Sequence, residues 1–245
     1  MPRYKLTLEY DGTGFVGWQR QDNGLSVQAV LEQAAQRLTG SAVTAVAAGR
    51  TDSGVHATGQ VAHVDLVKPL PPDKVRDALN FHMQPHAVAV VAAAAVDDTF
   101  HARFSAQGRS YLYRIICRRP PLVLDRDRAW RVPMDLDVDA MRQGAQHLLG
   151  SHDFTSFRAS ECQAKSPIRT LEVLRVSRHG PEIRIEAEAR SFLHHQVRNI
   201  VGTLKLVGEG KWQPDDVARA RDARDRKAGG PTAPPNGLYF TGVKY

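Results

Sequence analysis

The chain has 245 residues, 42% of them hydrophobic and 24% charged, the make-up of a soluble globular protein with enough length for one large domain or two small ones. The longest apolar run, Ala87–Val96, is too short and too rich in alanine to cross a bilayer, and the opening MPRYKLTLEY enters a strand pattern rather than a signal peptide. Two cysteines, Cys117 and Cys162, form no C-x-x-C motif, which argues against a disulfide framework or thiolate zinc site and for a reduced, cytoplasmic setting, while the net charge of +7 favours a polyanionic partner.

From Arg3 to Tyr10 the residues alternate, with Tyr4, Leu6, Leu8 and Tyr10 on one face, and predict a half-buried strand. The glycine-rich DGTGFVGWQRQDNG follows; its Phe15, Trp18, Arg20 and Gln21 either fold back on the core or reach a ligand. Ser26 caps a helix whose Val27, Val30, Leu31, Ala34 and Leu38 form one stripe, and Gly40 ends it. Strand-like Val43–Ala48 and Gln60–Leu66 bracket GRTDSGVHATGQVAH (Gly49–His63). This is the most chemically loaded loop of the chain. Arg50 and Asp52 stand two residues apart, glycines allow close backbone approach, and Thr51, Ser53 and Thr58 can tie the loop locally. Pro72–Met83 predicts a short helix, with His82 a packed or surface residue, and Ala87–Val96 a buried strand.

The polar DDTFHARFSAQGRS separates this half from the next. Tyr111, Tyr113, Ile115 and Cys117 then alternate along another strand. A proline- and arginine-rich loop, Arg119–Pro133, leads to a helix with Val138, Met141, Ala145, Leu148 and Leu149 inward, closed by Gly150. SHDFTSFR and a polar loop precede a hairpin with arms Ile168–Ser177 and Glu182–Ala189. SFLHHQVRNIVGTLKLVGEG predicts a helix, Pro214–Arg226 a charged helix, and LYFTGVKY a final strand. Strands mixed irregularly with helices argue for an α+β fold rather than a wound parallel sheet.

A carboxylate beside a guanidinium is expected to be ionised at neutral pH, so Asp52 could serve as nucleophile, general base or metal ligand. The plain alternative is an Arg50–Asp52 ion pair that only stabilises the loop. A metal reading would recruit His56, His63 and Asp65, but no H-x-x-x-H or H-E-x-x-H spacing supports it. His194 and His195, adjacent at a predicted helix start, would point in different directions and chelate poorly. No G-x-S-x-G elbow anchors a serine triad, and no P-C-x-x-C marks a zinc deaminase.

Six ordered blocks resemble the tRNA pseudouridine synthase A family: EYDGTGFVGWQRQ (9–21), AGRTDSGVHATGQVAH (48–63), FHARFSAQGRSYLYR (100–114), HDFTSFR (152–158), SFLHHQVRNIVGTL (191–204) and APPNGLYF (233–240). The GRTD-GVHA core is the most specific; Gln196 stands where the family pattern has methionine. The resemblance implies the α+β pseudouridine synthase fold, with two halves (1–104 and 105–245) contributing to one extended, mainly antiparallel sheet flanked by helices. It implies isomerisation of uridine to pseudouridine in the anticodon arm of tRNA, with no cofactor and no metal, by a cytoplasmic homodimer that does not involve a membrane.

By the same resemblance, Asp52 is the nucleophile and Arg50 holds it ionised and steadies the flipped nucleotide. Tyr111 stacks on the uracil and is a candidate base for the C5 proton, with sheet packing left to Tyr113. Arg20, Arg103, Arg109, Arg158 and Arg198 are implied phosphate contacts. Two other classes remain open on the sequence: a non-catalytic tRNA-binding protein, and another base-modifying enzyme such as a glycosylase that releases free uracil.

Overall fold

The computed structural model describes residues 1–245. In chain order the elements are β1 (Arg3–Tyr10), α1 (Val27–Thr39), β2 (Val46–Ala47), β3 (His56–Asp65), α2 (Pro72–Met83), β4 (Val88–Val96) and β5 (Gly108–Cys117). There follow β6 (Trp130–Val132), α3 (Val138–Gln146), β7 (Gly150–Asp153), β8 (Ile168–His179), β9 (Glu182–Ala189), α4 (Gln196–Gly208), α5 (Pro214–Asp222) and β10 (Leu238–Lys244). The architecture is mixed, with a large, mainly antiparallel sheet and flanking helices. No helix is long and apolar enough to cross a membrane. The chain divides into two compact units, residues 1–109 with 239–245, and residues 110–238. The last seven residues thus pack with the first unit, a return of the chain that a linear reading does not show.

In the first unit the strand order is β4-β1-β3-β10, with β2 also on β3. β1 runs antiparallel to both neighbours, so that Leu6 lies opposite Ala62 on β3 and Ala93 on β4. Its alternation is that of the sequence: Tyr4, Leu6, Leu8 and Tyr10 are all buried. β10 lies parallel to β3, pairing Tyr239 with His56 and Phe240 with Ala57. α1 starts where Ser26 Oγ accepts the Ala29 N–H at 3.2 Å and stops where Gly40 takes φ 74°. Its stripe Val27, Val30, Leu31 and Ala34 is buried, and it packs on α2.

β4 is an edge strand, and Val91 is 44% exposed. The run Ala87–Val96 reads as a buried strand, but most of β4 is alanine, which exposes little apolar surface on the open side.

In the second unit the order is β5-β9-β8-β7, with β6 parallel to β5. β8 and β9 form the expected hairpin, longer by two residues on its first arm, turning at Gly180 with φ 60°. α3 packs against α4, α5 and β8. α4 begins later than its periodicity suggests. His194 and His195 precede it, and His195 holds the left-handed φ of 60°. Lying outside the helix, the two rings are side by side, 4.0 Å between centroids, instead of pointing apart as helical neighbours would. α5 stops at Asp222; beyond it Asp225 caps a short turn, and Arg226 donates to Asn199 Oδ1 and to the Gly230 carbonyl.

Candidate active site

The GRTD segment is a short, tightly held connection rather than a long loop. Its second half is strand: β3 begins at His56, so only residues 48–55 lie between β2 and β3. The Ala48 N–H donates to Val61 O at 2.7 Å. The Ala48 carbonyl accepts from Arg109 Nη2 at 2.9 Å, and the Gly49 carbonyl from Gln60 Nε2 at 2.8 Å. The Thr51 carbonyl takes the Trp18 N–H at 3.0 Å, while its Oγ1 lies 2.8 Å from the Tyr10 hydroxyl. After Asp52 the chain turns back through Gly54, φ 76°, and the Val55 N–H returns to the Asp52 carbonyl at 3.2 Å. A left-handed residue at that turn is what glycine supplies at least cost.

The glycine-rich 11–24 segment is the other wall of this connection. Phe15 and Trp18 are buried, so its aromatics fold into the core. Its backbone approaches the Asp52 segment closely: a Cβ on Gly17 would stand 2.6 Å from Thr51 O, and one on Gly12 2.1 Å from Val55 O. Phe15 O accepts from Ser53 Oγ at 3.2 Å. Of the residues around the carboxylate, Thr51 is buried, Asp52 half-buried and Arg50 exposed. The expected Arg50–Asp52 ion pair does not form. Thr51, between them, is pinned inward by both its carbonyl and its hydroxyl, and Arg50 extends to solvent.

The side chains that a metal reading would recruit have other work. His56 Nδ1 accepts the Gly12 N–H at 3.0 Å, and its ring stacks on Tyr239 at 4.7 Å. His63 Nδ1 accepts the Ala102 N–H at 3.1 Å, and burial pushes its pKa down. Asp65 takes both arms of Arg3, at 2.7 and 2.8 Å, which holds its carboxyl below the usual range.

The first unit also carries Arg20, Arg103 and Arg109. Arg20 reaches the buried Glu32 at 2.5 Å yet keeps 59% of its side chain exposed. Arg103 is exposed, its guanidinium 5.6 Å from the Phe104 ring centroid. Arg109, expected on phosphate, spends its guanidinium on carbonyls: Ala106 at 3.2 Å, Arg103 at 2.7 Å and Ala48 at 2.9 Å. It braces the start of the Asp52 connection.

In the second unit Tyr111 is half-buried on β5, its ring edge-on to Phe192 at 5.0 Å. Tyr113 is fully buried and donates to Pro234 O at 2.7 Å, and burial raises its phenol well above the ordinary value. Of the two tyrosines, Tyr113 packs and Tyr111 keeps access to solvent. Arg158 is half-buried at the end of a short 3-10 turn, and Arg198 Nε donates to Ala233 O at 2.8 Å.

A family model described as tRNA pseudouridine synthase matches residues 7–105 and 145–245, most of the chain. The chain belongs to the tRNA pseudouridine synthase family. Tyr111 lies between the two matched stretches, whereas Asp52 and its supporting segments lie within the first. Relatives named tRNA pseudouridine synthase A align over all of this chain. That of Paramagnetospirillum magneticum is 69% identical with 96% of its own length covered, and that of Rhodospirillum centenum 62% with 100% covered. That of Maricaulis maris is 59% identical with 98% covered. In this synthase Tyr10 and Gln60 hold the Asp52 segment from β1 and β3, and no motif marks either of them. Gln60 offered one signal, an amide at an inward position of an apolar strand, where it must find partners.

Proposed function

We propose that Asp52 is the nucleophile with which this synthase isomerises uridine to pseudouridine in the anticodon arm of tRNA. The observation that carries the reading is the way the Asp52 connection is held. Carbonyls and hydroxyls from Ala48 to Asp52 are hydrogen-bonded from β1, β3, Arg109 and the 11–24 segment, while the carboxylate itself stays half-buried. Such fixing suits a group that must meet a reacting atom within a fraction of an ångström.

The reaction breaks the bond from uracil N1 to ribose C1′ and makes one from C5 to C1′. The C5 proton is lost and N1 gains one, so atoms and electrons balance without cofactor or metal ion. Positive charge grows at C1′ as the bond to N1 breaks, and a carboxylate stabilises or traps it, as in glycosidases. Tyr111 stacks on the uracil and is the candidate base for the C5 proton. Arg50, exposed beside Asp52, steadies the flipped nucleotide. Flipping costs a few kcal/mol of unstacking, which contacts along the RNA offset. Arg20, Arg103, Arg109, Arg158 and Arg198 are the proposed phosphate contacts, and Arg109 also braces the start of the Asp52 connection. The assembly is a cytoplasmic homodimer with tRNA bound in a basic cleft, in keeping with the charge of +7.

The test is to incubate the purified protein with tRNA and map pseudouridine. New pseudouridine confined to the anticodon arm is expected. Release of free uracil would instead indicate a glycosylase, and binding without any product a carrier of RNA.

A further inference from the structure

We infer that Phe104, backed by His101 and Arg103, is a stacking platform for an unpaired base of the RNA next to the nucleotide being modified. The inference rests on the RNA substrate proposed above. Phe104 is 76% exposed, an apolar ring with no hydrogen-bonding handle left in water. It is nevertheless not a loose side chain on a loose loop. His101 Nδ1 accepts the N–H of both Arg103 and Phe104 at 3.2 Å. Ser105 Oγ receives the His101 N–H at 3.0 Å, and the Ser105 N–H returns to the His101 carbonyl at 2.9 Å. The His101 ring lies 4.4 Å from the Phe104 ring at 31°, and the Arg103 guanidinium 5.6 Å from its centroid. The turn therefore presents an aromatic face beside a planar cation, already ordered before any ligand arrives.

The turn is also anchored to the root of the Asp52 connection. Arg109 Nη2 donates to Arg103 O and to Ala48 O, at 2.7 and 2.9 Å, joining the two segments through one nitrogen. Beneath it, Ala48 and Ala102 share a buried cluster with Val61, onto which Phe100 and Tyr245 pack. Ala48 stands four residues before Asp52. A ligand for this surface must offer a flat π face and negative charge close by. A nucleobase with its phosphate has both, and base–aromatic stacking with arginine is the common currency of single-stranded RNA recognition.

The test uses the full chain and a short RNA stem-loop carrying the target uridine. Phe104→Leu keeps apolar bulk and removes the ring; Phe104→Trp keeps a ring. The expected result is that Phe104→Leu raises Kd for the stem-loop about tenfold, with KM following, and that Phe104→Trp restores both. Removing single bases on either side of the target should reveal one position whose loss weakens the wild type about tenfold and leaves Phe104→Leu unaffected. Thermal melting should show no loss of fold, since the ring is exposed. Unchanged Kd in Phe104→Leu, or the absence of any base position coupled to it, would overturn the inference. So would sedimentation showing that Phe104→Leu dissociates a dimer, because the ring would then serve a second copy of the chain. A wild type that binds the stem-loop but makes no pseudouridine would remove the proposed function and leave the stacking measurement intact.

Discussion

The Tyr10 hydroxyl lies 2.8 Å from Thr51 Oγ1 in a space closed to water, joining the last residue of β1 to the residue before Asp52. Gln60 Nε2 sits 3.5 Å from the same hydroxyl and donates to Gly49 O at 2.8 Å, so one buried amide reaches Gly49 directly and Thr51 only through Tyr10. Burial pushes the Tyr10 phenol up to about 12, and it stays neutral and able to donate throughout the working range. The pair fixes the backbone that carries the carboxylate.

Thr51→Val keeps the shape and deletes the hydroxyl. It leaves the Tyr10 hydroxyl without its strongest partner, a cost of about 1–3 kcal/mol in stability. The Asp52 segment loses one of its ties, and turnover is expected to fall about tenfold to a hundredfold, mostly in kcat. Thr51→Ser should restore most of it. Tyr10→Phe should resemble Thr51→Val, and the double variant should be little worse than either single one. Additive losses, or a stability loss with kcat intact, would show that the pair serves only folding.

Gly17 takes φ 112°, and a Cβ there would stand 2.6 Å from Thr51 O. Gly17→Ala must therefore strain its own backbone and push on the Asp52 segment, with an expected loss above about 1 kcal/mol in urea unfolding. Gly14, three residues earlier, has nothing within 4 Å of where a Cβ would go, so Gly14→Ala should be close to neutral. Equal effects at the two positions would contradict the close approach.

Glu182 receives Arg114 Nη2 at 2.8 Å and Arg184 Nε at 2.8 Å, and these bonds, Arg114 first, bring its carboxyl from 4.5 down to about 2. A folded-state pKa below the unfolded one stabilises the fold above about pH 4.5, and the benefit is lost as pH falls through about 2. Integrated, the shift corresponds to an upper bound of roughly 3–4 kcal/mol. The stability gap between wild type and Glu182→Gln should be largest near neutral pH and shrink steadily towards pH 2. A gap independent of pH would mean that the carboxylate's charge does not matter there.

What the sequence discloses is what depends on local chemistry. The alternation of Arg3–Tyr10, the Ser26 cap and Gly40 stop of α1, and the β8–β9 turn all act within a few residues and are found where they were expected. Features fixed by distant partners are hidden. β6 is three residues of strand that exist because β5 pairs with them, so nothing within Arg119–Pro133 marks it. Residues 239–245 join the first unit through Tyr239 and Phe240 on β3, a pairing that spans most of the chain. His195 delays the start of α4 with a positive φ that no pattern of apolar residues signals.

The site divides in the same way. Asp52 stands in a motif that can be read directly, because charge, glycine and threonine are adjacent in sequence. Its frame, Tyr10, Gln60 and Arg109, is 42, 8 and 57 residues away and becomes visible only when β1 and β3 pair and Arg109 reaches the Ala48 carbonyl. Arg50 shows the opposite failing: sequence proximity to Asp52 suggests an ion pair, and the inward turn of Thr51 prevents it.

The most direct measurement is pseudouridine formation by Asp52→Asn, made alongside tRNA binding. The amide keeps the shape of the side chain but cannot stabilise a cation at C1′ or form an adduct. Turnover should fall below detection while Kd for tRNA stays within about tenfold, since the grip on RNA is spread over many cationic side chains. Pseudouridine produced by Asp52→Asn at a rate near that of the wild type would contradict the account.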